Sequence, residues 1–266
     1  MPIDSAPLLP SRRQEQDLPL LLDHNSVLRE IQVRSRLDAE SLDRPLTTPD
    51  PALRGLLRIS AEKRAGGAGG IPAVAAPTGR KSLDELLRHR SSVRTYGSRP
   101  VAVEAIAAMV HRASDFDRSA WPDHGSGAEL EFLVAARDVS GLPRGLYLFS
   151  PERGDFTALA DLPGSEAAGD LVLQLEFADA PAIVLVCGPL AGSLDRHGEH
   201  GHRLLLTRAG AAAHTAWLTA LDLGLVGSIF AGFLSAALKP LVPVDGYRST
   251  QLLAFSLGHA PTGEDG

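Results

Sequence analysis

Hydrophobic positions recur at two different spacings in the second half of the chain. Residues 130–137 (LEFLVAAR) and 181–188 (PAIVLVCG) are short apolar runs, and the second is continuous and β-branched, as is typical of a strand buried on both faces. Residues 203–223 instead repeat apolar side chains at helical spacing around a centre of small residues, Ala209–Ala213. The pattern therefore predicts two strands and a long central helix, which is either a core helix alone or also a subunit contact.

Shorter signals predict the other elements of a main domain that begins at Ser82. Ser82 and Glu85 form a capping box ahead of the apolar positions Leu83, Leu86 and Leu87. The other predicted elements are a helix over 101–113, a turn and strand over 141–151, a glycine-punctuated loop over 224–233, a short helix in SAALKPL (235–241) and a strand over 249–259. Helices and strands are mixed without strict βαβ alternation, which predicts an α+β fold.

The beginning of the chain has a different composition from the main domain. Residues 1–17 are rich in proline and charge, so we expect them to be mobile. A helix is predicted from about Asn25, and residues 61–81 combine glycine, alanine and proline with little to bury, which is typical of a linker. The chain is thus predicted to consist of a partly disordered extension and linker, 1–81, and one domain, 82–266.

Charge and composition exclude several classes of partner. The net charge of −6 argues against a general nucleic-acid binder. The one cysteine, Cys187, excludes an internal disulfide and suits a reducing cytosol. The longest apolar run, 180–190, is too short to span a bilayer, and the N-terminus has no apolar signal core. We therefore expect a cytoplasmic protein without a membrane or nucleic-acid partner.

The stretch RSSVRTY (90–96) concentrates arginines and hydroxyls in a few positions. In an extended chain Arg90, Ser92 and Arg94 point to one side, and guanidinium groups bind phosphate oxygens in pairs. The alternative is an exposed helix exit with ordinary surface arginines. The chain has no P-loop and no Rossmann glycine motif after a strand, which argues against ATP and a Rossmann-bound dinucleotide.

A histidine-rich stretch, HGEHGH (197–202), raises the question of a metal site. His197, His200 and His202 lie near Glu199, but their spacing lacks the helical H-E-x-x-H arrangement. The alternative is a glycine-flexed loop ahead of the long helix. We favour that alternative and predict no metal.

The order of motifs resembles the FMN-dependent nitroreductase superfamily over about residues 82–261. The motifs are LLRHRSSVRTY, GLPRGLYLFSPERGDFTAL, HGHRLLLTRAGAAAHTAWLTALDLGL, GSIFAGF and LLAFSLGHAP. Within the superfamily, GLPRGLY resembles the SagB-type azoline oxidases, which form thiazoles and oxazoles in ribosomal peptides. The resemblance implies an antiparallel sheet flanked by helices and an intertwined homodimer with FMN at the subunit interface.

The resemblance also implies which residues bind FMN. The first motif contacts the phosphate and ribityl chain, the loop IFAGF meets the flavin ring near N5, and a Pro-Ser-x-Gly-Gly stretch lies against the flavin. Asp123 replaces the serine of that stretch, and Arg203 matches a family arginine that serves either cofactor or dimer. The implied cofactor contacts are Arg90, Ser91, Ser92, Arg94, Pro122, Gly125, Arg203, Ile229, Phe230, Ala231 and Gly232.

The chain departs from the azoline oxidases at the base. Where those enzymes carry a Lys-Tyr pair, this chain has Arg196 and His197, and its three lysines lie elsewhere. Arginine does not deprotonate at neutral pH, whereas imidazole titrates close to working pH, so His197 is the candidate catalytic base. Arg208 also stands where the branch often has glutamate.

We therefore expect FMN-dependent oxidation of a peptide thiazoline or oxazoline to the azole. A base removes a ring Cα proton, the flavin accepts a hydride, and oxygen reoxidises the flavin. The implied partners are a precursor peptide and a cyclodehydratase. Two alternatives stay open: an NAD(P)H-dependent nitro- or quinone reductase with the same FMN site, and a non-catalytic flavin-fold subunit of a peptide-modifying complex.

Overall fold

The computed structural model describes residues 24–36, 45–79, 81–121, 128–164 and 171–261. Its helices are α1 (His24–Arg34), α2 (Leu56–Ala68), α3 (Leu83–His89), α4 (Val103–Ala120), α5 (Leu190–His197), α6 (Gly201–Asp222) and α7 (Ser235–Leu238). Its strands are β1 (Ile71–Pro72), β2 (Val101–Ala102), β3 (Glu131–Ala136), β4 (Val139–Ser140), β5 (Gly145–Ser150), β6 (Asp155–Ala160), β7 (Ala182–Gly188), β8 (Val226–Phe230) and β9 (Thr250–Gly258).

One seven-stranded sheet organises the fold. Its strand order is β1-β6-β5-β3-β7-β9-β8, and every neighbouring pair is antiparallel. Strands β2 and β4 form a separate parallel pair. Strand β7 lies between β3 and β9 and is buried along its whole length, as its continuous apolar sequence predicts. The predicted α+β class with an antiparallel sheet is confirmed.

Two core layers cover the two faces of the sheet, because successive side chains of a strand point to opposite sides. On one face, Phe132 and Val134 of β3 pack with helices α4 and α6. On the other face, Leu133 of β3 packs with Leu57 of α2 and with Phe177. The long helix α6 is therefore central, and its small residues allow it to lie close to the sheet and to α4.

Two predicted elements differ from the structure. The linker 61–81 includes the end of α2 and strand β1, because α2 buries Leu57 and Ala61 and β1 pairs with β6 at the sheet edge. The loop 224–233 contains strand β8, because pairing with β9 outweighs its glycines. The domain boundary at residue 82 stays a prediction.

Local signals at the start of the main domain are present but do not bury their helix. Ser82 Oγ accepts a hydrogen bond from the Glu85 amide at 3.2 Å and caps α3. Leu83 and Leu87 remain exposed, and α3 has no buried residue. The predicted second helix runs further than expected, to Ala120. In the described part of the chain, no helix has the length and apolarity to cross a bilayer.

A buried ion pair joins the two helices on one face of the sheet. Arg208 of α6 is 1% exposed, and its guanidinium donates to both carboxylate oxygens of Asp117 of α4 at 2.9 and 2.7 Å. It also donates to the carbonyl of Ala128 at 3.0 Å. A glutamate in place of Arg208 would repel the buried Asp117 carboxylate. The pairing therefore explains why this chain carries arginine rather than glutamate at this position.

Replacing Arg208 with methionine should lower the free energy of unfolding by about 3–5 kcal/mol, because it leaves the buried Asp117 carboxylate without a counter-charge. The double variant Arg208→Met/Asp117→Leu should recover most of the loss. Urea unfolding followed by circular dichroism measures both. The control is Arg88→Met, which breaks an exposed pair with Asp84 and should change little. A single variant as stable as the wild type would contradict this role.

Candidate functional site

The polar stretch 90–96, here called the strap, leaves helix α3 and runs beside the edge strand β8. Ser92 forms an isolated parallel bridge with Gly227, and the Val93 amide donates to the Gly227 carbonyl at 3.1 Å. A side chain at Gly227 would collide with the Ser256 carbonyl oxygen and lie 2.8 Å from the Phe255 ring. Glycine therefore allows the close approach between β8 and β9 on which the strap rests.

The two arginines of the strap do not point the same way. The Arg90 guanidinium carbon lies 4.5 Å from the centroid of the Trp217 ring. That of Arg94 lies 5.7 Å from the Phe177 ring, and its Nη1 is 3.3 Å from a Glu176 carboxylate oxygen. The two rings belong to opposite core layers. The prediction that both arginines face one side is wrong, because each guanidinium stacks on a ring at a different face of the sheet edge.

Tyr96 anchors the end of the strap. Its hydroxyl donates to Ser256 Oγ at 2.7 Å, and Ser256 Oγ donates to the Ser228 carbonyl at 3.2 Å. Burial raises the pKa of Tyr96 to about 12, against smaller lowering effects of the Ser256 hydrogen bond and the Arg94 charge. The tyrosine therefore stays protonated and keeps its donor role, and the hydroxyl chain ties the strap to β8.

The segment predicted to face a flavin ring, Ile229–Gly232, ends strand β8. The Phe230 ring stacks on Phe177 with centroids 3.9 Å apart, whereas Ala231 is exposed. The Gly232 carbonyl accepts from the Leu173 amide at 2.6 Å, and a side chain at Gly232 would lie 3.1 Å from Leu173 Cβ. The chain is thus anchored at Gly232, while the preceding residue, Ala231, is exposed.

The strap and this segment define a direction along helix α6. Strand β8 starts opposite Gly258 at the end of β9, so Ile229–Gly232 lies beyond Gly227 toward the start of β9. The start of β9 pairs with Gly188, which approaches Leu205 in the first turns of α6. Relative to the strap, the ring-facing segment, which is our name for the predicted flavin-ring segment Ile229–Gly232, therefore lies in the direction that leads from the end of α6 to its beginning.

His197 and Arg203 lie at the beginning of α6, away from Arg90. His197 is the half-buried last residue of α5, and Arg203 donates to Gln32 Oε1 of α1 at 3.3 Å. Arg203 precedes Trp217 by 14 residues, which is about 21 Å along the helix axis. Within one copy of the chain, Ser92 and Ile229–Gly232 therefore lie along the same edge strand, β8. Arg203 lies far from Arg90 in that copy.

Other sequence-predicted residues have different outcomes. Pro122 and Gly125, with Asp123 between them, lie outside the described residues. In the histidine stretch, His200 Nδ1 is 3.1 Å from the Ser35 carbonyl. Within the described ranges, no group of three or more histidine, cysteine, aspartate or glutamate side chains is arranged to hold a metal ion.

Sequence reasoning missed two residues of α6 beside the strap. The Trp217 ring lies under Arg90, and the His214 ring meets it edge-on with centroids 6.3 Å apart. Burial, and next the Arg90 charge, lowers the pKa of His214. The available signal was their i, i+3 spacing in a stretch of otherwise small residues, which puts both side chains on one side of the helix.

The sequence of the main domain identifies the family. Residues 87–259, about two thirds of the chain, match the model of the nitroreductase family. The chain belongs to the nitroreductase family. It is therefore an oxidoreductase of a family whose cofactor is FMN, and the predicted cofactor is confirmed.

Known proteins similar to this nitroreductase-family chain span bacteria and archaea. MJ1384 of Methanocaldococcus jannaschii, assigned as a nitroreductase, is 27% identical over 171 residues, which cover 62% of this chain and 86% of its own. A nitroreductase structure from Anabaena variabilis has a TM-score of 0.67 at 18% identity. It covers 92% of this chain, which spans 49% of the Anabaena protein.

A third similar structure comes from a multiprotein complex. It is a chain of the E. coli microcin synthetase McbBCD complex with truncated pro-MccB17 bound, with a TM-score of 0.51 at 16% identity. The match covers 85% of this chain and 99% of that chain. At these identities the two structures support the fold.

The residues of the site fit FMN at both ends. At the strap, a phosphate would meet the exposed Arg90 guanidinium and the buried Trp217 N–H, which has no hydrogen-bond partner in the described structure. At the other end, residue Ala231 is exposed, so a planar ring would meet it without displacing a core side chain. Arg90, Ser91, Ser92 and Ala231 would hold the cofactor.

Arg90→Ala should weaken FMN binding by about tenfold or more while changing riboflavin binding little, because riboflavin lacks the phosphate. Arg94→Ala should have a smaller effect on FMN, because Arg94 already pairs with Glu176. Fluorescence titration of the apoprotein with both flavins measures the ratio. Equal loss of FMN and riboflavin in Arg90→Ala would contradict the phosphate assignment.

Proposed function

We propose that this protein oxidises peptide thiazolines or oxazolines to azoles. The observation that carries the proposal is the position of His197, just before the beginning of α6, which is the direction in which Ile229–Gly232 lies relative to the strap. The GLPRGLY stretch resembles the azoline oxidases, and the similar chain from a microcin synthetase complex with a bound peptide supports a peptide-modifying role.

Bound FMN supplies a two-electron acceptor. The azoline loses two hydrogens, one as a proton from the ring Cα, and the His197 imidazole accepts that proton. Arg196 is already engaged, since its guanidinium donates to the Thr47 carbonyl at 2.7 Å. Thr47 Oγ1 donates to the Asp195 carbonyl at 2.7 Å, so residues from the segment before α2 hold the end of α5 and orient its last residue.

A second candidate function is an NAD(P)H-dependent nitro- or quinone reductase at the same FMN site. The relative from M. jannaschii favours it, because that protein is assigned as a nitroreductase. Rapid reduction of the flavin by NADPH in stopped flow would favour the reductase.

A third candidate is a non-catalytic role in a peptide-modifying complex with a cyclodehydratase. The motivation is that Arg196 and His197 stand in place of the Lys-Tyr pair.

We also propose that two copies of the chain build the site. Ala209, Ala212 and Ala213 are buried within the chain, but a side chain at Gly210 would meet nothing within 4 Å. Leu206, one turn earlier on α6, is 44% exposed. Leu83 and Leu87 of α3, a helix that packs against α6, are also exposed, and a second copy would cover such apolar side chains.

Gly210→Leu should give a folded monomer that no longer retains FMN. The leucine has space within one chain but would block a close helix contact from a second copy. Light scattering and flavin absorbance measure the two effects, and Gly210→Ala is the smaller matched change. A wild-type monomer that retains FMN, or a leucine variant that stays dimeric, would contradict the proposal.

His197→Ala should retain FMN and lose azole formation by about 10²–10⁴-fold, because general-base catalysis contributes that much to such proton transfers. Mass spectrometry of the peptide follows the loss of two hydrogens. His200→Ala, in the same loop, is the control and should stay active. Wild-type rates in His197→Ala would mean that the base lies elsewhere.

A further inference from the structure

A buried donor under the strap lacks an acceptor. Trp217 is 5% exposed, and its Nε1 has no hydrogen-bond partner among the described residues. Buried polar groups in folded proteins nearly always have a partner from the protein, water or a ligand. The Arg90 guanidinium lies over the same ring, at 4.5 Å from its centroid. The unpaired indole N–H therefore sits beside a positive charge, where an anionic acceptor is favoured.

A half-buried imidazole completes this cluster. His214 lies one helical turn before Trp217, and its ring meets the indole edge-on at an interplanar angle of 80°. Burial, with the Arg90 charge second, lowers the pKa of His214, so the ring is neutral near pH 7. A neutral imidazole beside a guanidinium gains a proton more readily once an anion offsets that charge.

Of the charged groups on the elements around α6, Arg90 is the one whose charge lowers the pKa of His214. Strands β8 and β9, which pack against α6, carry no ionisable side chain. On the α4 side, the Asp117–Arg208 pair lies six residues before His214, about 9 Å back along the axis. Strand β7 carries only the buried thiol of Cys187. The other helices that pack against α6 also carry ionisable residues: Glu104, His111, Arg112, Asp115 and Arg118 on α4, Asp195, Arg196 and His197 on α5, and the exposed Asp84, Glu85, Arg88 and His89 on α3.

We propose that Trp217 and His214 complete a phosphate-monoester subsite with Arg90, and that His214 takes up a proton when the phosphate binds. The three side chains offer an indole N–H, guanidinium N–H groups and an imidazolium N–H, a set of donors that matches phosphate oxygens. This rests on the FMN site described above and adds the residues and the proton that its phosphate end requires.

The sign of the pH effect follows from the direction of the two pKa values. The free protein has a lowered His214 pKa, and the phosphate charge raises it in the complex. Between these two values the complex holds one proton more than the free protein, so FMN binding strengthens as the pH falls through that window. Protonation of the FMN phosphate itself, near pH 6, acts in the opposite direction but equally on every variant.

Calorimetric titration of the full-length apoprotein with FMN tests the proton uptake. Titrations at about pH 6.5 in two phosphate-free buffers of different ionisation enthalpy give the number of protons bound, with the window set by imidazole. We expect net uptake in the wild type and in His111→Gln, the matched control, whose ring packs on Phe149 away from the strap. His214→Gln should show no uptake, only the proton released by the FMN phosphate, and riboflavin should cause neither uptake nor release in any variant.

Trp217→Phe tests the indole donor, since phenylalanine keeps a ring under Arg90 but has no N–H. The FMN dissociation constant should rise about tenfold, with riboflavin binding unchanged. Inorganic phosphate should compete with FMN in the wild type and less in Trp217→Phe, which separates recognition of phosphate from recognition of the flavin.

Several results would overturn the subsite. Proton uptake that persists in His214→Gln, equal loss of FMN and riboflavin in Trp217→Phe, or FMN binding without proton uptake in the wild type would each do so. If Trp217→Phe fails to fold, the His214→Gln titration alone decides. A wild-type protein that binds FMN normally but fails these tests overturns only this inference, whereas one that binds neither FMN nor phosphate overturns the cofactor site as well.

Discussion

The edge of the sheet is the constraint on which the site depends. Strand β8 is the last strand of the sheet, and an uncovered edge leaves backbone groups without partners. The strap covers this edge through one β-bridge at Ser92 and one hydrogen bond from the backbone amide of Val93. The hydroxyl of Tyr96 then fixes the strap to β9. Because the strap covers the edge without becoming a full strand, its polar side chains remain available, and the contact that closes the sheet also positions Arg90.

Helix α6 connects the two ends of the site. Its buried small residues let it lie against the sheet, and the Arg208–Asp117 pair fixes it to α4. Its later turns bring Trp217 under the strap, and its first turn follows the loop that contains His197. One rigid element therefore sets the separation between the phosphate end and the proposed base, so a change in how α6 packs should disturb both.

The sequence predicted those features that depend on neighbouring residues. The β-branched run of β7, the cap at Ser82 and the length of α6 each follow from local patterns. Strand β8 was missed because Gly227 within it and the glycines on either side of it are typical of a loop, and only pairing with β9 makes it a strand. The divergence of the strap arginines depends on aromatic rings more than eighty residues away in sequence, which no local pattern contains.

A crystal structure of the FMN complex tests the central claim most directly, namely that the strap on β8 holds the phosphate and the ring extends toward the beginning of α6. We predict phosphate oxygens at hydrogen-bond distance, about 2.7–3.1 Å, from Arg90, and the flavin ring against the backbone of Ala231. A phosphate bound at Arg203, with the ring directed toward Trp217, would contradict the account.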